Sequence, residues 1–120
     1  MTSIVKFDEW QNTAGTYTFG KCYAWVNFNG TGTVAIRAAL NVTSITDNGT
    51  GDYTANFTAA LPDGNYSAPI TCGQTANSMT TDIGPLAGAA PTATQLRFGT
   101  RNSVTGNATD ATYVMVAVFR

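Results

Sequence analysis

Histidine is absent from this chain of 120 residues. Its absence removes the usual proton shuttle at neutral pH, the base of Ser-His-Asp and Cys-His nucleophile systems, and the commonest zinc ligand. No enzyme, no metal and no cofactor is therefore the expectation. Charge is scarce too. Asp, Glu, Lys and Arg make up 11% of the residues, against roughly 25% in ordinary globular domains. The six basic residues are scattered and the formal net charge is −1. A phosphate backbone needs clustered cations, so nucleic acid is not an expected partner. No apolar run approaches the roughly 18 residues of a membrane-spanning helix, so membrane insertion is not expected either. The first ten residues, MTSIVKFDEW, lack the apolar segment of a secretory signal. Synthesis in a reducing cytoplasm is the default, and two separate thiols is the simpler reading of Cys22 and Cys72.

Neutral hydrogen-bonding side chains fill the space left by charge: 21 Thr, 10 Asn and 5 Ser. They suit strands and turns better than helix interiors. Six Asn-x-Ser/Thr sequons reflect that composition rather than glycosylation, given the missing signal segment. The length is one domain's worth.

Residues 1–20 read as a leader too short to fold alone, an arm that docks on something else, with Ile4, Phe7 and Trp10 as its apolar anchors. From Tyr23 the period is two. Ala24, Val26 and Phe28 share one face, and Tyr23, Trp25 and Asn27 the other. Asn29-Gly30 marks a hairpin, with a return strand over 33–40. A strand with a bulge is expected over 41–46, because Val42 and Ile45 stand three apart. Asp47 to Asp52 forms a second turn, and Tyr53 to Thr58 a strand with one wet face. Leu61-Pro62-Asp63-Gly64 forms a third turn. Tyr66, Ala68, Ile70 and Cys72 then alternate, with Pro69 pointing to an edge position. Residues 73–94 read as a long loop with one short strand near 78–82. Leu96 and Phe98 face inward from a strand over 95–99, and 100–111 reads as a second polar loop. The closing run, Tyr113-Val-Met-Val-Ala-Val-Phe119, is apolar on both faces, as a central strand or one facing another subunit must be. Short strands separated by turns indicate a single antiparallel β-sandwich, jelly-roll-like, over 21–120.

Four motifs invite a chemical reading. Gly30-Thr31-Gly32-Thr33-Val34-Ala35 fits the dinucleotide pattern G-x-G-x-x-A, but such a turn needs a helix after the glycines to hold the pyrophosphate. The residues that follow alternate as a strand, so a hairpin corner is the better reading. Asp47-x-Gly49-x-Gly51-Asp52 hints at calcium yet lacks the closing Glu of a calcium loop, which favours a solvated turn. Asp8 and Glu9 point to opposite faces of any strand. Asp63, Asp82 and Asp110 lie in turns or loops, which leaves a small glycan hydrolase as a remote alternative resting on Asp63 or Asp110. Trp10, Trp25 and Tyr66 could stack on sugar rings, although packing is the commoner use of aromatics in a small β domain.

The run Tyr23–Arg37 (YAWVNFNGTGTVAIR), then Asn41–Phe57 (NVTSITDNGTGDYTANF) and Leu61–Tyr66 (LPDGNY), resembles a domain of tail-fibre and related virion structural proteins of bacteriophages, of the marine-phage and cyanophage type. The ending Tyr113–Phe119 looks like that domain's last strand, and Val5–Thr16 like the N-terminal segment of such proteins. The resemblance spans nearly the whole chain and is weakest over 67–111. It implies a non-enzymatic virion protein, made in the bacterial host cytoplasm, homotrimeric, and bound to capsid or tail proteins through its arm. Surface loops would then meet host glycan through Asn77, Asn102 and Asn107, and subunits would mate through Trp25, Val114, Val116 and Val118. The shaft found in longer fibre proteins is missing here. This keeps open an alternative, a capsid decoration or cement protein docked by Phe7 and Trp10.

Overall fold

A computed structural model describes Ser3, Ala14 and residues 21–74, 80–86 and 88–120. Eight strands build it: β1 (Cys22–Asn29), β2 (Ala35–Leu40), β3 (Val42–Gly49), β4 (Asp52–Phe57), β5 (Ile70–Gly73), β6 (Thr80–Pro85), β7 (Gln95–Asn102) and β8 (Tyr113–Phe119). Two antiparallel four-stranded sheets, ordered β2-β1-β8-β5 and β3-β4-β7-β6, pack as a sandwich. The leader over 1–20, including Ile4, Phe7 and Trp10, lies outside the described residues apart from Ser3 and Ala14.

The period-two pattern sets the core. Ala24, Val26 and Phe28 of β1 and Val114, Val116 and Val118 of β8 point inward against Tyr53 and Ala55 of β4 and Leu96 and Phe98 of β7. Phe28 meets Tyr53 edge-on at 5.2 Å between ring centroids and Phe98 at 6.2 Å. Such pairs add about 0.5–1.5 kcal/mol each beyond area burial. The aromatic cluster therefore clamps one sheet to the other near one end of the sandwich.

Four details differ from the sequence reading. The β1–β2 hairpin closes through a five-residue loop over 30–34, so the return strand starts at Ala35 rather than Thr33, and the Asn29 side chain rounds the corner by accepting from the Thr31 N–H (3.1 Å) and hydroxyl (2.7 Å). Asn41 is no part of a strand. It stands at φ 55° between β2 and β3, which lie in different sheets. Its Nδ2 donates to the Tyr23 and Ala59 carbonyls (3.1 Å each) and its Oδ1 accepts from the Ala59 N–H (2.7 Å). Hydrogen bonds worth about 0.5–1.5 kcal/mol each outweigh the roughly 1–2 kcal/mol that a left-handed residue costs. Within 73–94, β6 is longer than the expected short strand and begins later. An edge strand pairs on one side only, so it carries a weak apolar signal. Thr54, on the expected wet face of β4, is buried, and its hydroxyl accepts from Asn48 at 2.9 Å.

Pro69 immediately precedes edge strand β5, and its carbonyl accepts from the Ala117 N–H (3.1 Å). β8, apolar on both sides, is central, between β1 and β5. Cys22 on β1 and Cys72 on β5 stand on opposite sides of β8 and form no disulfide. Two strand spacings, about 9.6 Å, exceed disulfide reach.

Candidate functional site

The sandwich has two distinct ends. At one, Lys21 and Arg120 exchange backbone hydrogen bonds (3.1 Å each), so the leader joins the domain beside its last residue. The Arg120 guanidinium grips the Asp63 carboxylate there, and Asp63 also accepts from the Asn65 N–H (2.8 Å). These contacts hold the Asp63 carboxyl below its ordinary range, the Asn65 N–H contributing most.

At the other end, loops 30–34, 50–51 and 103–112 meet around the Tyr53 hydroxyl. That hydroxyl lies 2.8 Å from Asp110 Oδ1 and 3.0 Å from the Gly30 carbonyl, and shares its single proton between them. Asp110 Oδ1 also accepts from the Gly51 N–H (2.7 Å), and the Ala111 carbonyl accepts from the Gly30 N–H (2.9 Å). Burial, reinforced by the hydrogen bond to Asp110, pushes the Tyr53 phenol well above its ordinary range. The phenol keeps its proton, and Asp110 Oδ1, accepting from both Tyr53 and Gly51, ties the loops together around it.

From this knot the chain projects a tip over 102–107. Asn102 Oδ1 accepts from the Val104 (2.9 Å) and Thr105 (3.0 Å) N–H groups. The Asn102 carbonyl accepts from the Gly106 N–H (2.8 Å), and the Arg101 guanidinium donates to the Gly106 carbonyl (3.1 Å). Gly106 turns the tip at φ 73°. Val104, at the apex, is 80% exposed. Asn102, expected as a receptor contact, thus spends its side chain organising the tip. Asn107 is exposed beside it, and Asn77 lies outside the described residues. No sequence pattern marks Val104, because a valine in a polar run reads as an isolated apolar residue.

The outer face of the β2-β1-β8-β5 sheet is the second notable surface. Trp25, Leu40, Tyr113, Met115 and Phe119 are each 37–48% exposed. Val114, Val116 and Val118, expected at a subunit interface, are instead within the core of the sandwich, at most 4% exposed. Strand alternation with β1 inside turns those valines inward and leaves their odd-numbered neighbours for any partner. Arg37 crosses the face: its guanidinium donates to Asn27 Oδ1 (3.3 Å) and the Thr112 carbonyl (2.7 Å) and lies 4.6 Å from the Tyr113 ring centre.

The remaining candidate residues divide cleanly. Asp52 is held by the Arg97 fork from β7 (2.9 and 2.6 Å), and Asp47 accepts from the Gly49 N–H within the turn (3.0 Å), so both carboxylates have partners inside the protein. Among the described residues no three metal-ligating side chains converge, and no helix is long and apolar enough to cross a membrane. Strand β2, not a helix, follows Gly32, which disposes of the dinucleotide turn. Tyr66, a possible sugar platform, packs edge-on against Phe57 and donates to the Thr92 and Gln95 carbonyls (3.2 Å each). Burial pushes its phenol up to about 12. Trp10 lies outside the described residues, and Trp25 is the aromatic of that set left open to a ligand. Comparison of the chain with protein-family models, curated proteins and solved structures gives no match.

Proposed function

We propose that this chain is a non-enzymatic virion structural protein of a bacteriophage, a self-associating, tail-fibre-like β domain that attaches through its N-terminal arm and offers loops to the host surface. One observation carries the reading. The leader joins the domain at Lys21, paired with Arg120, while the pinned tip over 102–107 lies at the opposite end of the sandwich. A domain held at one end and organised for contact at the other suits an appendage. Loop 86–94 serves a different end from the tip: its last residues return toward the leader, where the Leu61 and Phe57 N–H groups donate to Ala93 (2.8 Å) and Thr94 (2.9 Å). The internal use of Asp52, Asp63 and Asp110 supports a role without catalysis, and weakens the hydrolase alternative that rested on Asp63 or Asp110.

The test is direct. The chain is sought by mass spectrometry in purified phage particles and placed on them by antibody labelling. Label at the tail, with host adsorption slowed by excess purified protein, is the expected outcome. Label over the head would make it a decoration protein instead, and absence from particles would end the proposal.

A further inference from the structure

We infer that the outer face of the β2-β1-β8-β5 sheet, centred on Trp25 and Met115, is the surface through which copies of this chain mate. The inference rests on the self-association in the proposed function and names its contact.

Area is the first argument. An aromatic side chain carries about 150–250 Å², so rings left two-fifths exposed each offer about 60–100 Å². Trp25, Tyr113 and Phe119, with Met115 and Leu40, then present on the order of 300–500 Å² of apolar surface, the upper range for a monomer. Strand β2 extends the patch through Leu40, which pairs with Trp25. All six of its residues are exposed, even Ile36 at 38%, which shares the inner side with its partner Phe28 at 0%. The opposing sheet therefore stops short of β2, and among the described residues no strand pairs with its outer edge. Strands of six, eight, seven and four residues, at about 4.8 Å by 3.4 Å per residue, give a flat footprint of about 400 Å². Side-chain relief raises that toward the roughly 800 Å² per partner of a stable protein interface.

Area and shape select a second copy as the occupant. Arg37 is committed to Asn27, Thr112 and Tyr113, and Lys21 stands at the rim, 4.9 Å from the Tyr23 ring centre. Neither cation has a carboxylate partner among the described residues, so two copies mate with these charges offset from one another. The face carries both halves of an apolar fit. Beside the projecting rings lies an open depression of about 400 Å³ between Trp25, Asn27, Pro69, Thr71 and Met115, floored by Ala117. A large apolar side chain from the neighbouring copy fits there.

Sedimentation equilibrium of the full chain at micromolar concentration tests this. Wild type should sediment at a whole-number multiple of 12.6 kDa. Met115→Lys places a charge in the patch and Ala117→Trp fills the depression. Both positions point away from the core, and unchanged far-ultraviolet circular dichroism will verify folding. Each variant should weaken association at least a hundredfold. Folded variants that keep the wild-type mass would overturn the inference while leaving self-association through another face. A wild type of 12.6 kDa would overturn it as well and hand the face to the leader or to another protein. Neither result touches membership of the particle, which is read from purified virions.

Discussion

Gly51 and Gly32 have almost the same backbone conformation, φ 63° and 62°, and opposite surroundings. A Cβ at Gly51 would run into the Thr100 carbonyl oxygen and lie 2.8 Å from the Thr109 N, whereas at Gly32 it would meet nothing. The left-handed conformation costs a side chain about 1–2 kcal/mol, and crowding against backbone adds about 1–3 kcal/mol. Gly51→Ala should therefore lose about 2–4 kcal/mol of unfolding free energy in urea, and Gly32→Ala about 1 kcal/mol. Equal losses would show that conformation alone matters at both sites. The reason for Gly51 lies in its close approach to β7 and the 103–112 loop, which Asp110 anchors by accepting from the Gly51 N–H. A glycine in an Asp-x-Gly-x-Gly run announces a turn, but nothing local to it announces a contact with Thr100 and Thr109, far ahead in the chain.

Cross-strand pairing ties β4 to β7 at the rim of the second sheet, where the Arg97 fork closes on Asp52. The hydrogen bond from Arg97 lowers the Asp52 carboxyl below its ordinary 3.8. A carboxyl lowered on folding stabilises the native state at pH values above its unfolded pKa, and that contribution fades as pH falls below 3.8. Asp52→Asn should therefore be less stable than wild type at neutral pH, by less than about 1 kcal/mol for such an exposed pair, and the gap should close in acid. Thermal melts at pH 7 and pH 2.5 measure it, and a gap that persists in acid would contradict the assignment. Strands as elements were legible wherever one face is dry. Ala24, Val26 and Phe28, then Leu96 and Phe98, mark β1 and β7 by period alone. The edges were less legible. β6 carries no apolar stripe that sets its bounds, and the single-residue corner at Asn41 depends on side-chain hydrogen bonds to Tyr23 and Ala59 that no local pattern encodes. The run over 113–119 is apolar on both faces, and alternation alone does not say which face turns inward. The positions of β1 and the opposing sheet decide that.

For the molecule as a whole, separation of its two ends is what the proposed role uses. Val104 tops a tip pinned from within by Asn102, Arg101 and Gly106, so its side chain is presented without ordering cost on contact. Val104→Asp should leave the unfolding midpoint unchanged within about 0.5 kcal/mol, since the side chain packs on little. The same variant should lose the ability to slow host adsorption, and a variant that competes as well as wild type would move the contact elsewhere. Finally, β8 pairs with β1 on one side and β5 on the other, so the eighth strand of the domain occupies the middle of the first sheet. Until β8 is made, β1 lacks its partner on that side, and Val26 and Phe28 lack the valines they pack beside. Pairing across so long a sequence separation is intrinsically slow, and a chain interrupted before β8 would be aggregation-prone rather than a shortened but working domain.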